Sequence, residues 1–131
     1  MIALTPAGVR AKWGWISSGL SRVIDRAGSD FVPEDVYHEV MSGRSTVMVQ
    51  HNEAGDEVGF VVVNRVQYPH KAVLFVWAMY GEFEEQEELT LAQLDELARS
   101  IGASEVECRS RRKGWARKGF EACEIIYRRK V

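Results

Sequence analysis

FVWAMYGEFEEQEELTLAQLDELARSIGASEVEC, residues 75–108, is the stretch on which the fold turns. It opens on the apolar run 75–80, a strand, and passes into the loop GEFEEQEE, 81–88, which carries five glutamates. Thr90 then stands as an N-cap, Leu91, Leu94, Leu97, Ala98 and Ile101 recur at helical spacing, and Gly102 ends the helix. A second strand, SEVEC, follows at 104–108. A strand–loop–helix–strand crossover aims the helix N-terminus, with its unpaired N–H groups, at the loop, which is a corner suited to an anion. Here that corner is filled with carboxylates.

Upstream, Thr5–Pro6 starts a long amphipathic helix in which Val9, Trp13, Ile16, Leu20, Val23 and Ile24 form the stripe, ending near RAGSD. Pro33 starts a second, shorter helix with Val36, Tyr37 and Val40 on one face and SGR as its stop. Three strands follow, STVMVQH, EVGFVVVNRVQ and KAVLFVWAMY, joined by the short turns NEAGD and YPHK that suit antiparallel pairing. Beyond SEVEC, the basic segment RSRRKGWARKGF predicts a short helix and ACEIIYRRK predicts a closing strand. The order is α-α-β-β-β-α-β-α-β in a single domain, 1–131. It predicts an α/β (α+β) fold with a central mixed, mostly antiparallel sheet. The apolar runs 58–66 and 73–80 require burial on both faces, under the first and third helices.

At 131 residues and 46% apolar composition the chain holds one core and no more. Its apolar runs fall far short of the roughly 20 residues that span a bilayer, and MIALTPAGVRAKWGW lacks the order of a signal peptide. The expectation is a soluble protein without a membrane partner. Cys108 and Cys123 lack metal spacing and lie in apolar surroundings, which predicts buried free thiols. His38, His51 and His70 fall on a helix, a strand end and a turn without metal-ligand spacing, so no metal is expected, and no Ser–His–Asp arrangement stands out. Trp13, Trp15, Trp77 and Trp115 read as core and groove residues rather than a base-stacking platform. Net charge is only −2, but residues 81–102 set seven acids against Arg99, while 103–131 set nine bases against four acids.

The meander followed by a strand–helix–strand crossover resembles the GNAT superfamily of N-acetyltransferases. The resemblance is carried by GDEVGFVVV, by LAQLDELARSIGASEVEC as the helix and strand after the cofactor loop, and by GWARKGFEACEIIYRRK, similar to the superfamily's closing GF turn and last strand. It covers nearly the whole chain and lacks only a clear first strand. Within the superfamily the ending RRKGWAR…GFE…I…K is most similar to small proteins of tailed bacteriophages, which places the protein in the host cytoplasm or the virion.

The resemblance implies a pyrophosphate loop of the type Arg/Gln-x-x-Gly-x-Gly/Ala, whose backbone N–H groups hold acetyl-CoA. After Tyr80 and Gly81 this chain has no further glycine before the helix, and its glutamates compete for the same helix end. At about 4 Å and an effective dielectric near 20, each like-charge contact costs on the order of 4 kcal/mol. The tyrosine used as general acid by many members maps onto Trp115, and a common asparagine maps onto Cys108; neither can do the same work. No catalytic residue is assigned and no cofactor is expected. If acetyl-CoA binds after all, Ala78, Met79, Tyr80 and Gly81 on the splayed strand would meet it. Three classes then compete, in this order. The first is a non-catalytic interaction module, of a phage virion or its assembly, docking other proteins or itself through Glu84, Glu85, Arg111, Arg112, Lys113 and Trp115. The second is a divergent acetyl-CoA-dependent N-acetyltransferase. The third is a nucleic-acid-associated factor using residues 109–118.

Overall fold

The computed structural model describes residues 1–81, 86–111 and 114–131. Its elements are β1 (Ile2–Ala3), α1 (Pro6–Ala11), α2 (Trp13–Ala27), α3 (Pro33–Met41), β2 (Thr46–His51), β3 (Glu57–Gln67), β4 (Ala72–Gly81), α4 (Glu87–Ser100) and β5 (Glu105–Cys108), followed by a 3-10 helix at Trp115–Lys118. The strands lie in the order β1-β2-β3-β4-β5. Neighbours are antiparallel except β4 and β5, which run parallel because α4 carries the chain across.

Local chemistry accounts for the helix ends. Thr5 caps α1 by accepting from the Gly8 N–H at 3.1 Å, with Pro6 at the first helical position, where its missing N–H costs nothing. The long helix read from the sequence is two, since at Lys12 the backbone leaves helical geometry (φ −106°, ψ 12°) while its side chain pairs with Glu57 at the start of β3. Gly28, at φ 64°, closes α2 in the left-handed conformation and donates its N–H to Ile24 O. On α3 the Asp35 carboxylate accepts from the Val32 N–H at 2.9 Å.

Both faces of the sheet are covered, as the apolar runs of β3 and β4 require. On one side Val47, Phe60, Val62 and Ala78 pack against Val9, Ile16 and Leu20 of α1 and α2 and Val36 and Val40 of α3. On the other, Met48, Val61, Val63, Leu74 and Val76 pack against Leu94 and Ala98 of α4. Among the described residues no helix is long and apolar enough to cross a membrane.

Three local expectations are corrected. α4 begins at Glu87, so Thr90 is not its cap. Thr90 is buried within the helix and accepts from Gln50 Nε2 at 2.9 Å, while the same amide donates to Gln93 Oε1 at 2.9 Å. That bond reaches across forty residues of chain and is invisible to local pattern. Residues 121–131 form no strand and are exposed throughout, so ACEIIYRRK has the alternation of a strand without a partner here. Cys123 is exposed and Cys108 only half-buried, although both are free thiols. Phe120 stacks edge-on against Trp115 at 5.3 Å and stands outside both core clusters.

Candidate functional site

The site lies where β4 and β5 part. Val62 pairs with Ala78 and Val63 with Val76, so Trp77 is one residue too many and bulges from β4. β5 follows β4 from Val73–Glu105 to Val76–Cys108 and then ends, while β4 continues to Gly81. Beyond Val76, β4 is therefore paired only to β3 among the described residues. The β5 side of β4 beyond Val76 is thus a crevice that no strand fills among the described residues, and the N-terminus of α4 follows the end of β4 in the chain.

The four residues expected to meet a cofactor sit along this crevice, but most of their side chains serve packing. Ala78 is buried in the core, and Tyr80 leans on Phe60 at 5.4 Å with its hydroxyl 3.4 Å from Arg22 Nη1. Met79 is half-buried against the α4 cluster. Gly81 has φ 135°, and a Cβ there would stand 2.4 Å from Val58 O. Glycine is needed so that β4 can close on β3. Only the backbone of these residues is free to take a ligand.

At the N-terminus of α4, Glu87 and Glu88 occupy the first turn, and Lys118 of the 3-10 helix pairs with Glu87. Gln86 Oε1 and Glu87 Oε1 are both buried without a hydrogen-bond partner among the described residues, so the Glu87 oxygen meets Lys118 as an ion pair alone. Lys118 Nζ also lies 5.1 Å from the centre of the Trp115 ring. The acidic and basic segments, read from the sequence as separate docking faces, thus meet at this pair. Arg111 is exposed and its guanidinium lies beside Gly28 at the end of α2. Glu84, Glu85, Arg112 and Lys113 fall outside the described residues.

Candidate acids and bases near the crevice are few. Cys108, at the end of β5, has its thiol pKa pushed up by burial and then by Glu107, with Lys118 opposing; that disfavours the thiolate a nucleophile needs. Glu107, one residue earlier, accepts from the Tyr68 hydroxyl at 2.8 and 3.1 Å, and this bond raises the Tyr68 pKa. No local pattern announces this pair, because thirty-nine residues separate its members. On the same side of the sheet an open cleft of roughly 310 Å3 is lined by Asp35, His38, Glu39, Asn64, Phe75 and Trp77. Glu39 is engaged by Arg44 at 2.9 and 3.1 Å, which holds its carboxyl below the usual range. Among the described residues no group of three His, Cys, Asp or Glu side chains could hold a metal ion.

The fold is shared with solved structures. A tetramutant of the BH1408 protein from Bacillus halodurans superposes with a TM-score of 0.72 at 13% identity, covering 100% of both chains. An aminoglycoside acetyltransferase from an uncultured soil metagenomic sample, in complex with sisomicin, gives a TM-score of 0.67 at 13% identity over 98% of this chain and 93% of that one. A Clostridium acetobutylicum chain described as a "predicted acetyltransferase with acetyl-CoA" gives 0.67 at 10% identity over 92% and 90%. No family model and no curated protein matches the chain. The chain therefore has the fold of the GNAT acetyltransferases, and at these identities the likeness extends to the fold alone.

Proposed function

We propose that this chain is a GNAT-fold module that works by binding other proteins and not by transferring an acyl group. The observation that carries this reading is the N-terminus of α4, where Glu87 and Glu88 fill the first turn and Lys118 is committed to Glu87. The partial positive charge of a helix end, which would favour a pyrophosphate, is satisfied by the chain's own carboxylates. Trp115 and Cys108 stand where the resemblance would put a proton donor and an asparagine, and neither serves as one. The finer reading, a virion-associated or assembly protein of a tailed phage, rests on the pattern of residues 111–130 alone.

A second reading, a divergent N-acetyltransferase, is favoured by one specific observation. The bulge at Trp77 and the end of β5 at Cys108 leave beside β4 a crevice that no strand fills among the described residues, where an extended amide-bearing chain such as pantetheine can pair. Thermal denaturation with acetyl-CoA separates the two. A ligand at 100 times its dissociation constant stabilises the fold by about 2.7 kcal/mol. We expect no shift at millimolar acetyl-CoA, and a saturable shift would replace the first reading by the second.

A further inference from the structure

The bulged Trp77 lines a cleft of roughly 310 Å3 together with Phe75 and Asn64 from the sheet and Asp35, His38 and Glu39 from α3. Aromatic rings thus form part of its floor and carboxylates part of its wall, and Phe75 has a further carboxylate, Glu107, as its register partner on β5. The faces of aromatic rings are negative, so rings beside carboxylates favour a cation. The chain itself supplies an instance, because the guanidinium of Arg109 lies over the Phe75 ring, 5.4 Å from its centre.

That chemistry is only half used. Glu39 is engaged by Arg44, and Glu107 accepts from the Tyr68 hydroxyl. Asp35 accepts from the Val32 N–H through Oδ2 alone, and no cationic side chain pairs with it among the described residues. Trp77 is the better cation acceptor of the two floor rings, yet it meets only Phe31, at 5.1 Å, and no cation lies over it among the described residues. Asn64 donates Nδ2 to Ser45 Oγ at 3.3 Å, which leaves its carbonyl oxygen as an acceptor. One ring, one carboxylate and one amide oxygen in the same cleft therefore lack a donor.

Size and hydration select among cations. The cleft is at the lower limit of ligand pockets, with room for one side chain and not for an extended molecule. It is also open to water, so a compact, strongly hydrated ammonium gains little there, whereas a planar guanidinium stacks flat on an indole and offers a fork of donors to a carboxylate.

We infer that this cleft receives an arginine side chain of a partner protein, stacked on Trp77 and paired with Asp35. Assigning the arginine to a protein rests on the reading of the chain as a protein-binding module; the preference of the cleft for a guanidinium does not.

Titration of the isotope-labelled full chain with millimolar Nα-acetyl-arginine amide tests it by nuclear magnetic resonance. The expected result is a saturable shift of the Trp77 indole N–H. Asp35→Asn keeps an oxygen to accept from the Val32 N–H, so it should retain the native far-UV circular dichroism and bind about fivefold more weakly or worse. Arg109→Ala should bind at least as tightly as the native chain, since it removes a like charge from the cleft. Nα-acetyl-lysine amide should bind about fivefold more weakly than the arginine compound. A Trp77 indole that does not move overturns the inference, as does an affinity unchanged by Asp35→Asn or lost with Arg109→Ala. A lysine compound that binds as tightly as the arginine one overturns the choice of guanidinium. Stabilisation by acetyl-CoA would remove the protein-binding reading and leave these titrations as they are, so the two fail separately.

Discussion

Two glycines of α2 show how one residue type acquires opposite roles from its surroundings. A Cβ on Gly19 would stand 2.5 Å from Tyr80 Cδ1 and 2.8 Å from Phe60 Cε1, whereas one on Gly14 would meet nothing within 4 Å. Helix propensity favours alanine over glycine by about 1 kcal/mol, but overpacking costs about 1–3 kcal/mol. Gly14→Ala should therefore raise the urea midpoint, and Gly19→Ala should lower it by up to about 2 kcal/mol of stability. The sequence carried a trace of this, since Gly19 shares a face with Ile16 and Val23, but not the reason, which is supplied by the distant rings of Phe60 and Tyr80 on β3 and β4. Tyr68 offers a second test at this scale. Its hydrogen bond to Glu107 raises the phenol pKa in the fold, so the protonated form is the one favoured there. That contribution is fully present below the ordinary value of about 10 and is lost as pH rises through the folded value. Ultraviolet titration should show one tyrosine ionising above the usual range, and Glu107→Gln should remove most of the displacement. A Tyr68 that titrates normally would mean the bond does not form in solution.

At the level of elements, α4 and the strands β3 and β4 are the parts most legible in the sequence, because each buries a continuous apolar face and the spacing records it directly. Leu94 lies on the buried face of α4, as its spacing predicts, and Leu94→Ala should cost about 2–5 kcal/mol in chemical denaturation. Phe120, by contrast, is half-buried against Trp115 outside both core clusters, so Phe120→Ala should cost about 1 kcal/mol or less. Equal losses from the two variants would place the GF turn inside a core after all. The start of α4 was misread for a related reason. Thr90 has the chemistry of a cap, but the Gln50 amide claims its hydroxyl, and a side chain from β2 is not visible in a window along the helix. The closing strand was read from alternation, and alternation records which faces a segment can present without saying whose sheet it joins. The break at Lys12 left no signal, since the apolar stripe continues through it.

Taken whole, the molecule combines a parted pair of strands, β4 and β5, with a helix end occupied by its own carboxylates. The scaffold was legible because it depends on apolar periodicity. The candidate site was not, because it depends on Lys118 meeting Glu87 across thirty residues and on where β5 stops. Since that ion pair is about 40% exposed on each side, it contributes little to stability, roughly 0–1 kcal/mol. Its effect is on what else can bind. In Glu87→Gln/Glu88→Gln, the two first-turn carboxylates are gone, Lys118 is released, and the helix end again favours an anion. The variant should fold with a denaturation midpoint close to the native one and show a heat of binding with inorganic pyrophosphate that the native chain lacks. That heat should fall steeply with added salt, since one lysine and a helix end attract the anion through charge. A native chain that binds pyrophosphate as tightly as the variant would show that these carboxylates do not guard the helix end, and the reading of a closed anion site would fail with it. A variant that stays silent while the native chain is also silent would place the exclusion in the shape of the corner instead of in its charge.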